Sequence, residues 1–163
     1  MSEVTTWYLE TNSPAELNSK PQVAGIHIEE AKTKQWQLNR FLYQLVGAPW
    51  SWTDKLSLSE EQWAQYAESD DLRTWVALEG AAPAGYFELE KKAENTVEIC
   101  YFGLAQRFIG RGLGGHLLSR AIEEAWAWGA QRVIVNTCSL DHPSALANYK
   151  ARGMGVYRTE EKQ

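Results

Sequence analysis

The stretch FIGRGLGGHLL, residues 108–118, runs four glycines straight into an apolar helical pattern. Glycines crowded at a helix start let backbone N–H groups approach a ligand closely, and the helix dipole favours an anion there. Leu113, Leu117, Ala121 and Ala125, with Leu118, Ile122 and Trp126 beside them, predict an amphipathic helix that ends at Gly129. A Walker loop fails, because no Lys-Ser or Lys-Thr follows the glycines. A dinucleotide fingerprint fits Gly110, Gly112 and Gly115 in letters only; it belongs after the first strand of a parallel unit, and this one comes late in the chain. A ligand-free tight turn and a pyrophosphate cradle at the helix end remain open on these residues alone.

Working outward, the segments before the loop change period. LRTWVALE, PAGYFELEKK and TVEICYFGL read as strands joined by turns at Gly80–Pro83 and Glu94–Asn95, an antiparallel meander. Upstream, VTTWYLE reads as a strand and TNSPAELNSKP as a loop. GIHIEEA fits either a short strand or a helix entry. Trp36, Leu38, Phe41, Leu42 and Leu45 predict a helix over about 34–45. Ser59, with Glu60, Glu61 and Gln62 after it, caps another that runs to about Glu68. Downstream, QRVIVNTC predicts a buried strand, DHPSALANYKAR a helix with Pro143 in its first turn and Gly153 closing it, and MGVYRTE a last strand. This order is α+β with a βαβ element near its C-terminal end, so a mixed sheet with helices on both faces is expected.

The 163 residues are read as one domain over 1–163, with a formal net charge of −5 that disfavours a nucleic-acid surface. Cys100 and Cys138 lack CxxC spacing and sit in strand-like apolar segments, which predicts reduced core thiols. The opening MSEVTTWYLE has no basic region before an apolar run, and no stretch approaches the ~18 apolar residues of a membrane helix. A cytoplasmic protein without membrane or nucleic-acid partners is the expectation, and no metal site is read.

The glycine motif gains meaning from ALANYKARGM, residues 145–154. Together they resemble the GNAT superfamily of N-acetyltransferases. That family's Arg/Gln-x-x-Gly-x-Gly/Ala signature is matched by Ile109-Gly110-Arg111-Gly112-Leu113-Gly114, with Ile109 replacing the polar first residue. The later segment is similar to the family's A-x-x-x-Tyr-x-x-x-Gly-Phe helix and turn, with Met154 in the Phe place and His142 where Asn is usual. The resemblance covers about Leu72 to Thr159. It implies an α/β/α sandwich with a mixed, mostly antiparallel twisted sheet, acceptor-side helices over about 32–68, and an acetyl-CoA-binding core over about 72–159.

The resemblance also implies roles. Backbone N–H groups of Arg111, Gly112, Gly114 and Gly115, beside Ile109 and Gly110, would hold the pyrophosphate of acetyl-CoA, with Arg111 or Arg107 adding charge. The preceding strand would splay from its neighbour around Phe102 to Leu104, where Gly103 suits a bulge, and a backbone N–H of Phe102 or Leu104 would polarise the acetyl carbonyl. Tyr149 matches the general acid for the leaving thiolate. Glu98, taken to alternate with Cys100 and Phe102 on one strand face, is the candidate base through an intervening water. His142 is the alternative base, a pantetheine contact or a helix start, and water alone is the third option for the base.

Eight tryptophans are unusual for this length, and Trp7, Trp36, Trp50, Trp52 and Trp63 lie in the N-terminal part. Trp50 and Trp52, flanked by Pro49 and Asp54 on a predicted loop, suit an ammonium group by cation–π attraction. With Tyr43 they are the candidate acceptor residues. The expectation is an acetyl-CoA-dependent N-acetyltransferase acting on a primary amine of a small molecule by direct transfer in a ternary complex, with a homodimer left open. Nothing in the sequence activates Cys100 or Cys138 for a covalent route. The alternatives are a protein or peptide acetyltransferase and a non-catalytic acyl-CoA-binding sensor.

Overall fold

The computed structural model describes residues 3–163; the first two residues of the single-domain expectation lie outside the described residues. The elements are β1 (Val4–Thr11), β2 (Ile26–Glu30), α1 (Trp36–Gly47), α2 (Glu60–Ala67), β3 (Leu72–Glu79), β4 (Ala82–Lys92), β5 (Thr96–Leu104), α3 (Leu113–Ala127), β6 (Arg132–Cys138), α4 (Ala145–Ala151) and β7 (Gly155–Lys162). The strands form one sheet in the order β2-β3-β4-β5-β6-β1-β7. Only β5 and β6 pair in parallel; all other neighbours are antiparallel. The N-terminal strand β1 is therefore an interior strand, held between β6 and β7.

Alternation along the central strands sorts the core into two layers. Trp75, Ala77, Phe87 and Leu89 pack with Leu113, Leu117, Leu118 and Tyr149 of α3 and α4. Val76 and Tyr86 face the opposite way, against Leu42 and Val46 of α1. Trp63 of α2 meets Tyr43 of α1 edge-on at 5.8 Å, which seals that layer. The apolar i, i+3, i+4 spacing of α1 and α3 thus becomes two helical covers on one twisted sheet. Among the described residues, no helix is long and apolar enough to cross a membrane.

Local expectations hold at several ends. Ser59 caps α2 by accepting from Gln62 N–H at 3.1 Å, and Gln62 Oε1 accepts from Ser59 N–H at 2.9 Å, a reciprocal box. Ile26–Glu30 resolves as an edge strand, its Ile26 and Ile28 buried and His27 exposed. The expected long helix over DHPSALANYKAR is shorter: α4 begins at Ala145, and Pro143 lies in a preceding turn closed by Ala145 N–H to His142 O at 2.9 Å. Cys100 and Cys138 are half-buried rather than core residues, free, and exposed to a cleft.

Candidate active site

The cleft begins where the sheet parts. Parallel pairing joins Thr96, Val97 and Glu98 to Arg132, Val133 and Ile134 and then stops, although β5 runs on to Leu104 and β6 to Cys138. Between the diverging strands lies a cleft of about 1030 Å³, which continues to the first turn of α3. The main chain of β5 explains what it offers. Ala105 N–H donates to Ala84 O at 2.8 Å, so these two form a hydrogen-bonded pair. Such pairs alternate along antiparallel strands, so Gly103 faces Tyr86 in the same way. The N–H groups of Phe102 and Leu104 consequently point away from β4, into the wedge. This is where the sequence placed them, though not for the expected reason: the register shifts between Glu88 and Leu89, leaving Cys100 as the extra residue of the bulge. Gly103 serves close packing instead, since a Cβ there would lie 2.6 Å from Val46 Cγ1 of α1.

At the other end, Gly110 and Gly112 have φ of +86° and +78°, with open space where a side chain would stand. This left-handed backbone favours glycine, and Gly112 caps α3. Ile109, Gly110, Gly112, Gly114 and Gly115 all border the cleft. The unpaired amides of the first helical turn, its dipole and an unfilled cradle fit a diphosphate. The side chain of Arg111 is not brought in: it pairs with Glu79 at 2.5 Å and lies over the Phe108 ring. Arg107 is exposed and likewise outside the cleft lining.

Tyr149 borders the cleft from α4, its ring 6.0 Å from that of Phe102. Burial, and then the nearby Asp141 charge, push its hydroxyl above the usual tyrosine range, so it keeps its proton. Glu98 also lines the cleft, at the apex of the wedge. The bulge corrects its expected neighbours: Glu98 and Cys100 share a face, but Phe102 is carried to the opposite one, against Phe87. Burial raises the Glu98 carboxyl above its ordinary value of 4.5, and Lys92 opposes that shift. Oxygens of Glu90 and Glu98 and the Cys100 sulfur lie within 4.8 Å of one another, the one group among the described residues close enough to share a metal ion. The Lys92 ammonium, 2.7 Å from Glu90 and 3.5 Å from Glu98, already stands against both carboxylates as a cation. Burial drives the Cys100 thiol well above its normal range, so it is no ready nucleophile.

His142 borders the cleft too, but its Nδ1 accepts from Ser144 N–H at 2.9 Å, and its ring meets Trp50 at 4.9 Å. In the neutral ring the proton then sits on Nε2, leaving no free lone pair for a base. Trp50 and Trp52 line the cleft as expected, with Trp52 Nε1 donating to Asp141 Oδ1 at 3.2 Å. Tyr43 does not line it. It is 1 % exposed and stacks on Trp52 at 5.7 Å, so it supports the wall from behind. Its hydroxyl donates to Asp54 Oδ1 at 2.7 Å, and Tyr101 donates to Oδ2 at 2.5 Å. Burial works against the Asp54 charge, yet the bonds from Tyr101 and Tyr43 hold its carboxyl below the usual range. Asp54, Lys55, Tyr66 and Tyr101 are cleft residues that sequence reasoning missed as site candidates; Lys55 Nζ lies 3.8 Å from the Tyr66 ring centre. The signal available was Asp54 beside the two tryptophans; Tyr101 was hidden by the bulge.

The chain is similar to known proteins in sequence and in fold. Mycothiol acetyltransferase of Corynebacterium efficiens is 29% identical over 140 residues, a match covering 85% of this chain and 46% of that protein. The chain thus spans less than half the length of that relative. Among solved structures, IAA acetyltransferase from Bacillus cereus is 26% identical with a TM-score of 0.56, covering 77% of this chain and 73% of that one. A GCN5-related N-acetyltransferase from Sphaerobacter thermophilus shares the fold at a TM-score of 0.73 and 15% identity, covering 98% of this chain and 51% of that one. The model of the acetyltransferase (GNAT) family matches residues 36–154, the span from α1 through the wedge and the glycine loop to the turn after α4, and the chain belongs to that family.

Proposed function

We propose that the chain is an acetyl-CoA-dependent N-acetyltransferase whose acceptor is a primary amine on a small molecule, with direct transfer in a ternary complex. The observation that carries this reading is the wedge: unpaired amides of Phe102 and Leu104 on one wall, and a cradle of helix-end amides at its far end. When bound, acetyl-CoA supplies a thioester carbonyl and a thiolate leaving group. The amides of Gly112, Gly114 and Gly115 hold the diphosphate. A main-chain N–H from Phe102 or Leu104 stabilises negative charge on the carbonyl oxygen, at no cost of reorganisation. The Tyr149 hydroxyl delivers a proton to the leaving sulfur. Glu98, raised by burial toward neutrality, takes the proton of the attacking amine through water. His142 is the weaker candidate, because its Nδ1 lone pair is used within its own turn.

A small amine is favoured by the acceptor wall, where Trp50, Trp52 and the ionised Asp54 line the same cleft. The test is release of free CoA from acetyl-CoA, measured across a panel of amines, amino acids and peptides. Turnover is expected with small amines, and Trp50→Ala and Trp52→Ala raise the acceptor KM. If no acceptor accelerates release above background hydrolysis while CoA still binds, the chain is a sensor and the transferase reading is wrong.

A further inference from the structure

Lys55 is the one lysine or arginine among the described residues that line the cleft. It reaches there from the loop between α1 and α2, and that loop is fixed. Leu58 N–H donates to Lys55 O at 3.2 Å, Leu56 N–H to Thr53 O at 3.1 Å, and Lys55 N–H to the Tyr43 hydroxyl at 3.1 Å. The ammonium is held over two rings, 3.8 Å from the centre of Tyr66 and 5.6 Å from that of Tyr101. Tyr66 is itself anchored, because its hydroxyl donates to Glu88. Glu88 is only 1 % exposed and also accepts from Asn39 Nδ2 at 2.8 Å. Ring faces attract a cation, yet among the described residues no carboxylate stands at ion-pair distance from Lys55.

The carboxylates that share the cleft are already engaged. Asp54 accepts from Tyr43 and Tyr101. Glu90 and Glu98 face the Lys92 ammonium. Asp141 accepts from Trp52 Nε1, from Thr137 Oγ1 at 2.5 Å and from Cys138 N–H at 3.2 Å. One half-buried cation is therefore left over, and such an ammonium gains most from an anion brought to it. It stands at the end of the cleft that holds Glu98: Glu88 and Glu90 share one face of β4, and Glu90 lies opposite Glu98 of β5. We propose that Lys55 receives a carboxylate of the acceptor, so that the acceptor is an amino acid rather than a simple amine. This rests on the reading of the cleft as an N-acetyltransferase site and narrows its acceptor. The amine of the acceptor faces the carboxylates of the wall, and its carboxylate faces Lys55. Without Lys55 an anionic acceptor would meet Asp54, Glu90 and Glu98 with nothing to offset their repulsion.

The experiment measures CoA release with L-α-amino acids and with ω-amino acids of increasing length, each against its own carboxamide, and with plain alkylamines. It uses the unmodified protein, K55M and K55R, with thermal melts to check folding. The carboxamide keeps the size of the acid and removes its charge. Its amine is also the less basic of the two, which favours the amide, so a preference for the acid has to come from the carboxylate. In the unmodified protein the best acid is expected to exceed its amide in kcat/KM by about 10-fold or more. K55M is expected to abolish that preference by raising the KM of the acid, and K55R to keep most of it. Amides or plain amines that match or outrun the acids in the unmodified protein overturn the proposal, a result that needs no variant to fold. An acid preference unchanged in K55M overturns it as well and makes Lys55 a support for Tyr66. If no acceptor of any kind releases CoA above background, it is the transferase reading that fails, and this proposal with it.

Discussion

At the α3 end of the cleft the groups proposed to meet a ligand are main-chain amides, whereas at the α1 end the lining includes the side chains of Trp50, Trp52, Asp54 and Tyr101. The first end depends on backbone shape: left-handed glycines, a helix start and strands that part. The second depends on a hydrogen-bonded cluster in which Tyr43 and Tyr101 both donate to Asp54, and Tyr43 stacks on Trp52. A main-chain site tolerates changes of side chain, which is how Ile109 can stand in the glycine motif. A side-chain site changes its preference with each substitution, so on the proposed function specificity would reside at the α1 end.

Substitutions at four positions break or sharpen this contrast. The largest effect belongs between the two ends. Tyr149→Phe removes the proton donor, and kcat is expected to fall by about 10²- to 10⁴-fold while CoA affinity measured by calorimetry stays put. A loss of CoA affinity equal to the loss of rate would instead make Tyr149 a wall. Next, Glu98→Gln lowers kcat/KM by roughly 10²-fold at neutral pH. The sign is set by burial: Glu98 loses its proton at a higher pH than an ordinary carboxyl, so activity is expected to rise with pH through a value above 4.5. That acid limb disappears in the Gln variant; its persistence would hand the base role to another group.

Asp54→Asn is the sharper test of the acceptor end. Loss of the charge is expected to raise the KM of a cationic acceptor by about 10-fold and to cost ~1–3 kcal/mol of stability as two tyrosine hydroxyls lose an ionised acceptor. CoA binding should not change, and an equal loss at both ends would erase the distinction drawn here. The smallest effect is at the cradle. Gly112→Ala forces a Cβ onto a φ of +78° and is expected to cost ~1–2 kcal/mol in a denaturant titration, with a few-fold loss of CoA affinity. Open space at that position means strain alone is responsible, so Gly112→Asn, which tolerates this backbone better, should recover part of the loss.

How far each region was legible in the sequence follows from the range of the forces that shape it. The caps of α2 and α3 involve residues within a few positions of one another, and they read correctly. β2 was ambiguous because Ile26 and Ile28 alternate over only five residues, too few to separate a strand from a helix entry. The start of α4 was misplaced because Pro143 suits a first helical turn and a preceding turn equally well. Tyr43 illustrates a deeper limit. Its periodicity places it on the inward face of α1, but whether inward means core or cleft depends on Trp52 and Trp63, which arrive from elsewhere in the chain.

By itself the sequence determined the glycine loop, the helices on either side of it and the alternating strands of the meander, because φ preference, capping and periodicity are local. From these the family's motif was readable. Only the tertiary structure decided that β5 and β6 part after Glu98, that a bulge at Cys100 moves Phe102 to the opposite face from Glu98, and that Lys55 lines the cleft over the Tyr66 ring. Those facts are properties of strand pairing and packing between residues far apart in sequence. A single strand does not contain its register with its neighbour, and a single lysine does not contain what will stand beside it.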